Sequence, residues 1–266
     1  MQTKTKPFYK KPLFWELAIL FMIVAALVVF LALQNTTDPI LAENPYEPTD
    51  FTEVNGYLTD FSGESVLGID VSQFQGNIDW PQVAASGVKF AMIRIGGRGT
   101  AQEGRLYFDD NFEKNYQGAT DAGIAVGGYF FSQATTPEEA LEEAGYALEL
   151  MDGRAFQMPI VCDWEYMEDS RATDLPAAQI MACTKAFCDE NAAAGYTPMV
   201  YFNQRMIANG FDLEQMADYR FWLAQYDSKM DFPYRVDMWQ YTATGRVPGI
   251  SGNVDLNLYF PRKEGE

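Results

Sequence analysis

Asp163 and Glu165, in the stretch PIVCDWEYM (159–167), are the pair whose types and spacing best suit acid-base chemistry. Ile160, Val161 and Cys162 form an apolar run behind Pro159, which predicts a buried strand. Side chains alternate along a strand, so Asp163 and Glu165 point to one side and Trp164 to the other. Their Cα atoms would stand roughly 6.5 Å apart. At that range ionising one carboxyl opposes ionising the other and raises a pKa toward that of a usable general acid. An isolated D-x-E is equally compatible with solvated or helix-capping acids, so the rest of the chain must decide between the readings.

Composition narrows the chemistry. The chain has 266 residues, of which 48% are apolar, enough for one large α/β domain or two small ones. It contains no histidine, which excludes Ser-His-Asp and Cys-His catalysis and His-ligated zinc and leaves carboxylates as acid and base. A formal charge of −18 argues against a nucleic-acid partner, because nothing would offset phosphate repulsion. A neutral polymer fits better. Cys162, Cys183 and Cys188 cannot all pair and read as buried thiols. No residue spacing demands a metal, and no cofactor is expected.

The N-terminal region divides by composition. Residues 1–12 carry Lys4, Lys6, Lys10 and Lys11, and residues 13–33 are almost wholly apolar, about the 20 residues needed to cross a bilayer. We read 13–33 as an uncleaved transmembrane signal anchor, longer than a typical signal-peptide apolar region. The lysines would lie in the cytoplasm and the remainder outside, facing the cell wall; cleavage of the segment would instead make the protein secreted. Residues 34–65 contain Asp38, Glu43, Glu47, Asp50, Glu53, Asp60 and Glu64, prolines at 39, 45 and 48, and no basic residue. This composition predicts an extended acidic linker, followed by a catalytic domain over 66–266.

From Val66 onward, strands and helices alternate. Strands are predicted at 66–70, 88–96, 125–132, 160–165 and 197–203. Helices are predicted near 79–86, at 111–122 with Asp109 or Asp110 as cap, from Thr136-Pro137-Glu138-Glu139, and at 176–194. Strands at 220–226, 236–242 and 254–260 follow with short connections. A series of strand-helix units reaching eight strands is the arithmetic of an α/β barrel with its last part reduced to strands. Chemistry in such a barrel sits at the strand C-terminal ends. Asp70, Asp163, Glu165, Tyr201, Tyr226, Gln240 and Asp255 fall near those ends. The loop Gly96-Gly97-Arg98-Gly99 lacks nucleotide-binding spacing and reads as a tight βα turn. Among the many aromatics (Trp80, Tyr129, Phe131, Trp164, Tyr201, Trp222, Tyr226, Trp239, Tyr241), alternation should send about half to the core and leave the rest to stack on sugar rings.

Four segments carry a resemblance: GIDVSQFQGNIDWPQV (68–83), YFFSQA (129–134), the DWE triplet and GNVDLNLY (252–259). Together they resemble the glycoside hydrolase family 25 lysozymes, the Chalaropsis-type or Cellosyl-type N-acetylmuramidases, over about residues 66–262. The resemblance implies a modified TIM-like barrel, (β/α)5(β)3, here preceded by one transmembrane helix. It also implies hydrolysis of the β-1,4 bond between N-acetylmuramic acid and N-acetylglucosamine, with peptidoglycan glycan strands as partner. Glu165 matches the general acid, Asp163 the carboxylate beside it, and Asp70 and Asp255 two further acids of the groove. Tyr129, Tyr201, Trp222, Tyr226 and Gln240 are expected sugar contacts from their strand-end positions. Asp163 could activate water or polarise the substrate's 2-acetamido group; two acids on one side of a strand favour the second. The alternatives are an inactive glycan-binding wall tether and a hydrolase of chitin-like polymers.

Overall fold

The structure is a computed structural model and describes residues 41–262. The basic segment 1–12 and the expected anchor 13–33 lie outside the described residues. Among the described residues, no helix is long and apolar enough to cross a membrane. In chain order the elements are β1 (Phe51–Val54), β2 (Tyr57–Asp60), β3 (Val66–Val71), α1 (Trp80–Ala85), β4 (Phe90–Arg98), β5 (Leu106–Phe108), α2 (Phe112–Asp121), β6 (Ala125–Ser132), α3 (Pro137–Met151) and β7 (Ile160–Trp164). They continue with α4 (Ala177–Ala193), β8 (Pro198–Asn203), α5 (Gln204–Ala208), β9 (Arg220–Ala224), β10 (Met238–Gly245) and β11 (Val254–Tyr259).

Eight of these strands close a barrel in the order β3, β4, β6, β7, β8, β9, β10, β11, with β11 returning to β3. All neighbours run parallel except β11, which is antiparallel to both β10 and β3. Short β5 folds antiparallel onto the end of β4. Local sequence explains the helix starts. Thr136 accepts a hydrogen bond from Glu139 N (3.3 Å) with Pro137 in the first turn, and Asp79 caps α1 by accepting from Gln82 N (3.2 Å).

The hydrophobic core has two layers. Phe90, Met92, Val161, Met199, Tyr201, Trp222 and Met238 fill the barrel interior, as the inward half of each strand's alternation requires. Gly68 makes room there, since a Cβ at that position would strike the Phe90 ring. The outer layer lies between strands and helices and holds Trp80, Trp164, Phe187, Phe202 and Trp239. Cys162, Cys183 and Cys188 are buried free thiols.

Two expectations are corrected. Gly96 and Gly97 do not form a βα turn. They continue strand β4 and pair with Phe108 and Tyr107 of β5, and a Cβ on Gly96 would meet the Tyr107 carbonyl. Glycine is required because β5 crosses so closely.

The second correction concerns the linker expected over 34–65, because its described part, 41–65, is folded onto the barrel. β1 and β2 form a hairpin whose turn is Asn55-Gly56, both at positive φ (55° and 87°), the strongest short hairpin signal a sequence offers. Phe51 is buried edge-on against Trp239 (ring centroids 5.0 Å) and Phe260 (6.2 Å), and Tyr46 packs on Phe260 (4.7 Å). Asn44 and Ala42 exchange main-chain hydrogen bonds with Pro233 and Arg235. No helix follows β9 or β10, so the outward Trp239 and Tyr241 of β10 need another cover, and this segment supplies it. Most of its glutamates lie on the outer side, Glu47, Glu53 and Glu64 being exposed, whereas Asp60 is buried at the end of β2. Phe51→Ala is therefore expected to cost about 3 kcal/mol. A chain starting at Val66 is expected to melt well below one starting at Leu41; equal melting temperatures would show that the docking contributes nothing.

Candidate active site

Residues from all eight barrel strands and the loops behind them meet in one cavity of about 410 Å3, at the C-terminal ends of the parallel strands and the N-terminal start of antiparallel β11. All nine residues expected from the sequence line it: Asp70, Asp163, Glu165, Asp255, Tyr129, Tyr201, Trp222, Tyr226 and Gln240. Strand alternation sorts β7 as expected. Asp163 and Glu165 face the cavity, while Trp164 is buried in the outer layer against Tyr166 (4.8 Å). Of the other aromatics, Trp80, Trp164, Trp239 and Tyr241 belong to the outer layer, and Phe131 joins the cavity wall.

The four carboxyls form two couples. Asp70 and Asp255 stand opposite one another in the antiparallel register of β3 and β11. Asp70 Oδ2 accepts from Gln240 Nε2 (2.9 Å) and Asn257 Nδ2 (2.8 Å). Burial and the nearby Asp255 charge nevertheless hold the Asp70 pKa well above its ordinary value. Asp255 is pushed up to about 6, chiefly by burial. Asp163 and Glu165 lie close enough to hydrogen-bond through a shared proton. Burial raises both, and the Glu165 charge raises Asp163 further. Such a couple retains one proton well above the ordinary carboxylate range. The cavity thus holds a carboxyl group that keeps its proton above the ordinary carboxylate range.

A hydrogen-bond chain fixes the wall around Asp70. Tyr226 OH donates to Gln240 Oε1 (3.0 Å), Gln240 and Asn257 donate to Asp70, and Trp222 Nε1 donates to Asn257 Oδ1 (2.9 Å). Trp222 is 2% exposed and packs edge-on to Tyr201 (5.3 Å) and Tyr129 (6.3 Å). It is the floor of the cavity, with little face left for a sugar. Tyr226, 60% exposed, is the predicted contact most open to a ligand.

Several cavity residues escape the sequence reading. Phe74 and Met167 stand exposed at the rim, and Asn257 holds Asp70. Arg94 is the one cation among the residues lining the cavity. It projects from β4 just before a bulge between Arg94 and Gly96, and an arginine interrupting the apolar run KFAMIRIG was the signal available for it. Asp109, expected as a cap for α2, instead accepts from Arg94 Nε (2.7 Å) and from the main-chain N–H of Gln73 (3.0 Å) and Asn111 (3.0 Å). Behind β7, Gln133 Nε2 donates to the Glu165 carbonyl (3.1 Å) and Gln133 N donates to Glu143 Oε1 (3.3 Å). Glu143 pairs with Arg98 (2.8 Å); burial pushes its pKa up to about 7 although Arg98 opposes the shift. This buried chain fixes the main chain that carries Glu165. Among the described residues, no group of three or more His, Cys, Asp or Glu side chains is placed to hold a metal ion.

Comparison with known proteins follows the same outline. Residues 69–250 match the profile of Glycosyl hydrolases family 25. Lysozyme M1 of Streptomyces globisporus is 32% identical over 207 residues, covering 73% of this chain and 67% of that protein. The autolytic lysozyme of Clostridium acetobutylicum is 28% identical over 193 residues, and the match spans 72% of this chain but 55% of that protein. The crystal structure of the bacterial lysozyme from Streptomyces coelicolor superposes with a TM-score of 0.62 at 30% identity, covering 74% of this chain and 92% of the other.

Proposed function

The chain belongs to glycosyl hydrolase family 25, and from that premise we propose how its cavity works. The protein is a glycoside hydrolase of the lysozyme class that cuts the β-1,4 bond between N-acetylmuramic acid and N-acetylglucosamine in peptidoglycan. The observation that carries the reading is the convergence of Asp163 and Glu165, on one side of β7, with Asp70, Asp255 and exposed aromatics in one cavity at the barrel mouth.

In this mechanism Glu165 gives its proton to the glycosidic oxygen as the bond to C1 breaks and positive charge develops on the sugar ring. Asp163 lies on the same side as Glu165 and within hydrogen-bond reach of it. That closeness leaves no room for the two carboxyls to flank the sugar from opposite faces, as an inverting pair does at roughly 6.5–9.5 Å. It suits a substrate-assisted route, in which Asp163 orients and polarises the 2-acetamido group so that its oxygen attacks C1. The couple Asp70 and Asp255, fixed by Gln240 and Asn257, would hold sugar hydroxyls.

The finer architecture, five strand-helix units and three closing strands, is supported by the order of elements from β3 to β11. The apolar run 13–33 behind four lysines supports a membrane anchor that keeps the domain at the outer face, against the wall.

The test is release of new reducing ends from purified peptidoglycan by the full chain in a carbonate-washed membrane fraction, with the terminal sugar identified by mass spectrometry. Muramic acid ends are expected, from activity that sediments with the membrane. Glucosamine ends would make the protein a different glycosidase, and binding to the wall without any release would make it a tether. Activity freed into the wash would remove the anchor.

A further inference from the structure

Arg94 is the cavity feature that the mechanism above does not use. The residue is buried (8% exposed) and its guanidinium spends only Nε, on Asp109. One face lies over the Phe74 ring (4.9 Å), with Tyr107 at 5.9 Å. Among the described residues, neither Nη nitrogen has a hydrogen-bond partner, and neither is sealed from the cavity. A planar fork with two N–H-bearing nitrogens is thus held rigid and left unspent inside a cavity walled by carboxyls. Asp109 does not need the rest of Arg94, because two main-chain N–H groups also hold it. Burying a guanidinium with open donors is costly unless a ligand satisfies them.

The surrounding carboxyls can accept from sugar hydroxyls and amides but cannot take up an acid. Resting on the muramidase reading, we propose that Arg94 receives the lactyl carboxyl of a muramic acid unit that carries no stem peptide, making it a specificity residue for peptide-free, acidic strands over neutral amino-sugar polymers. A chitin-like chain carries no such group and would leave the fork unpaired, which is the kind of loss that rejects an analogue. Phe74 and Tyr107 flank the guanidinium, and the bulge beside Arg94 breaks the regular strand at the point where it enters the cavity wall.

A cycle between residue and substrate tests this. Peptide-free glycan strands, with the lactyl carboxyl exposed, are compared with the same strands after reduction of that carboxyl to an alcohol. kcat/KM is measured from new reducing ends for the full chain, for Arg94→Gln and for Arg94→Lys. Reduction is expected to cost the wild type roughly tenfold to a hundredfold, the span of a charge-assisted hydrogen bond. Arg94→Gln is expected to lose about as much on intact strands and to be indifferent to reduction, with Arg94→Lys between, since it keeps charge without the fork. Where Arg94→Gln melts early because Asp109 has lost its partner, the double variant Arg94→Gln with Asp109→Asn carries the same expectation. An equal penalty from reduction in wild type and Arg94→Gln overturns the assignment, as does a wild type unaffected by reduction while still releasing muramic acid ends. A wild type that releases no such ends from intact strands overturns the muramidase reading itself, and this assignment with it.

Discussion

Glu165→Gln is expected to lower kcat on peptidoglycan by roughly 10²- to 10⁴-fold, the usual worth of a general acid, with KM changed little. The amide has the shape of the protonated carboxyl and can still hydrogen-bond to Asp163, but it has no proton acidic enough to give to a leaving alkoxide. Ground-state binding therefore survives and only the transition state loses its proton donor, which is the kinetic signature of an interaction made during bond breaking. Folding is expected to be preserved. Glu165 is half-buried at the cavity mouth and its main chain is held by Gln133 regardless of side chain. Removing an acid that burial disfavours when charged relieves the folded state rather than straining it. Steady-state kinetics beside a melting curve checks both halves. A variant that unfolds would make Glu165 a structural residue, and one that turns over normally would leave Asp163 or another cavity acid as the donor.

The site was legible because its residues lie at the ends of strands with unambiguous patterning. VLGID and IVC before DWE each declare a strand by apolar content with acids at its C-terminal end, and VDLNLYF declares one that carries Asp255 near its start, at the same mouth because β11 runs antiparallel. Once a barrel closes these strands in order, convergence follows from geometry. What stayed hidden was held by long-range packing. Glu143 looks like any other glutamate of the acidic helix PEEALEEAGY; only the fold turns it inward to Arg98 and Gln133. Asp109 has the position of a cap but is claimed by an arginine from the neighbouring strand. The hairpin at Asn55-Gly56 is a different case. Its turn signal was explicit, but the acidic composition of 34–65 outweighed it, and the need to cover β10 appears only when helices are absent from that side of the barrel.

Asp163→Asn separates the shared-proton account from one in which Glu165 acts alone. In the wild type, the couple loses its first proton at a pH raised by burial and its second only against the charge already formed, so the singly protonated state spans a wide range. That state is the active one: one proton is available to the glycosidic oxygen, and Asp163 shares it or orients the acetamido group. Asparagine removes one titrating site, so the couple no longer holds a second proton against a charge already formed, while its amide can donate to Glu165 and favour the charged form. Both effects lower the pH at which Glu165 loses its proton. The alkaline limb of kcat/KM is therefore expected to move to lower pH, because the acid form is lost sooner as pH rises. The acid limb, which reports formation of the singly charged couple, should flatten. At the optimum, activity is expected to fall by roughly 10²- to 10³-fold, since a neutral amide polarises the acetamido group far less than a carboxylate would. A pH–rate profile across the range from acid to mildly alkaline measures all three. An alkaline limb left in place would mean that Asp163 and Glu165 do not share a proton, and an undiminished rate would place the assistance with Asp70 or Asp255 across the cavity.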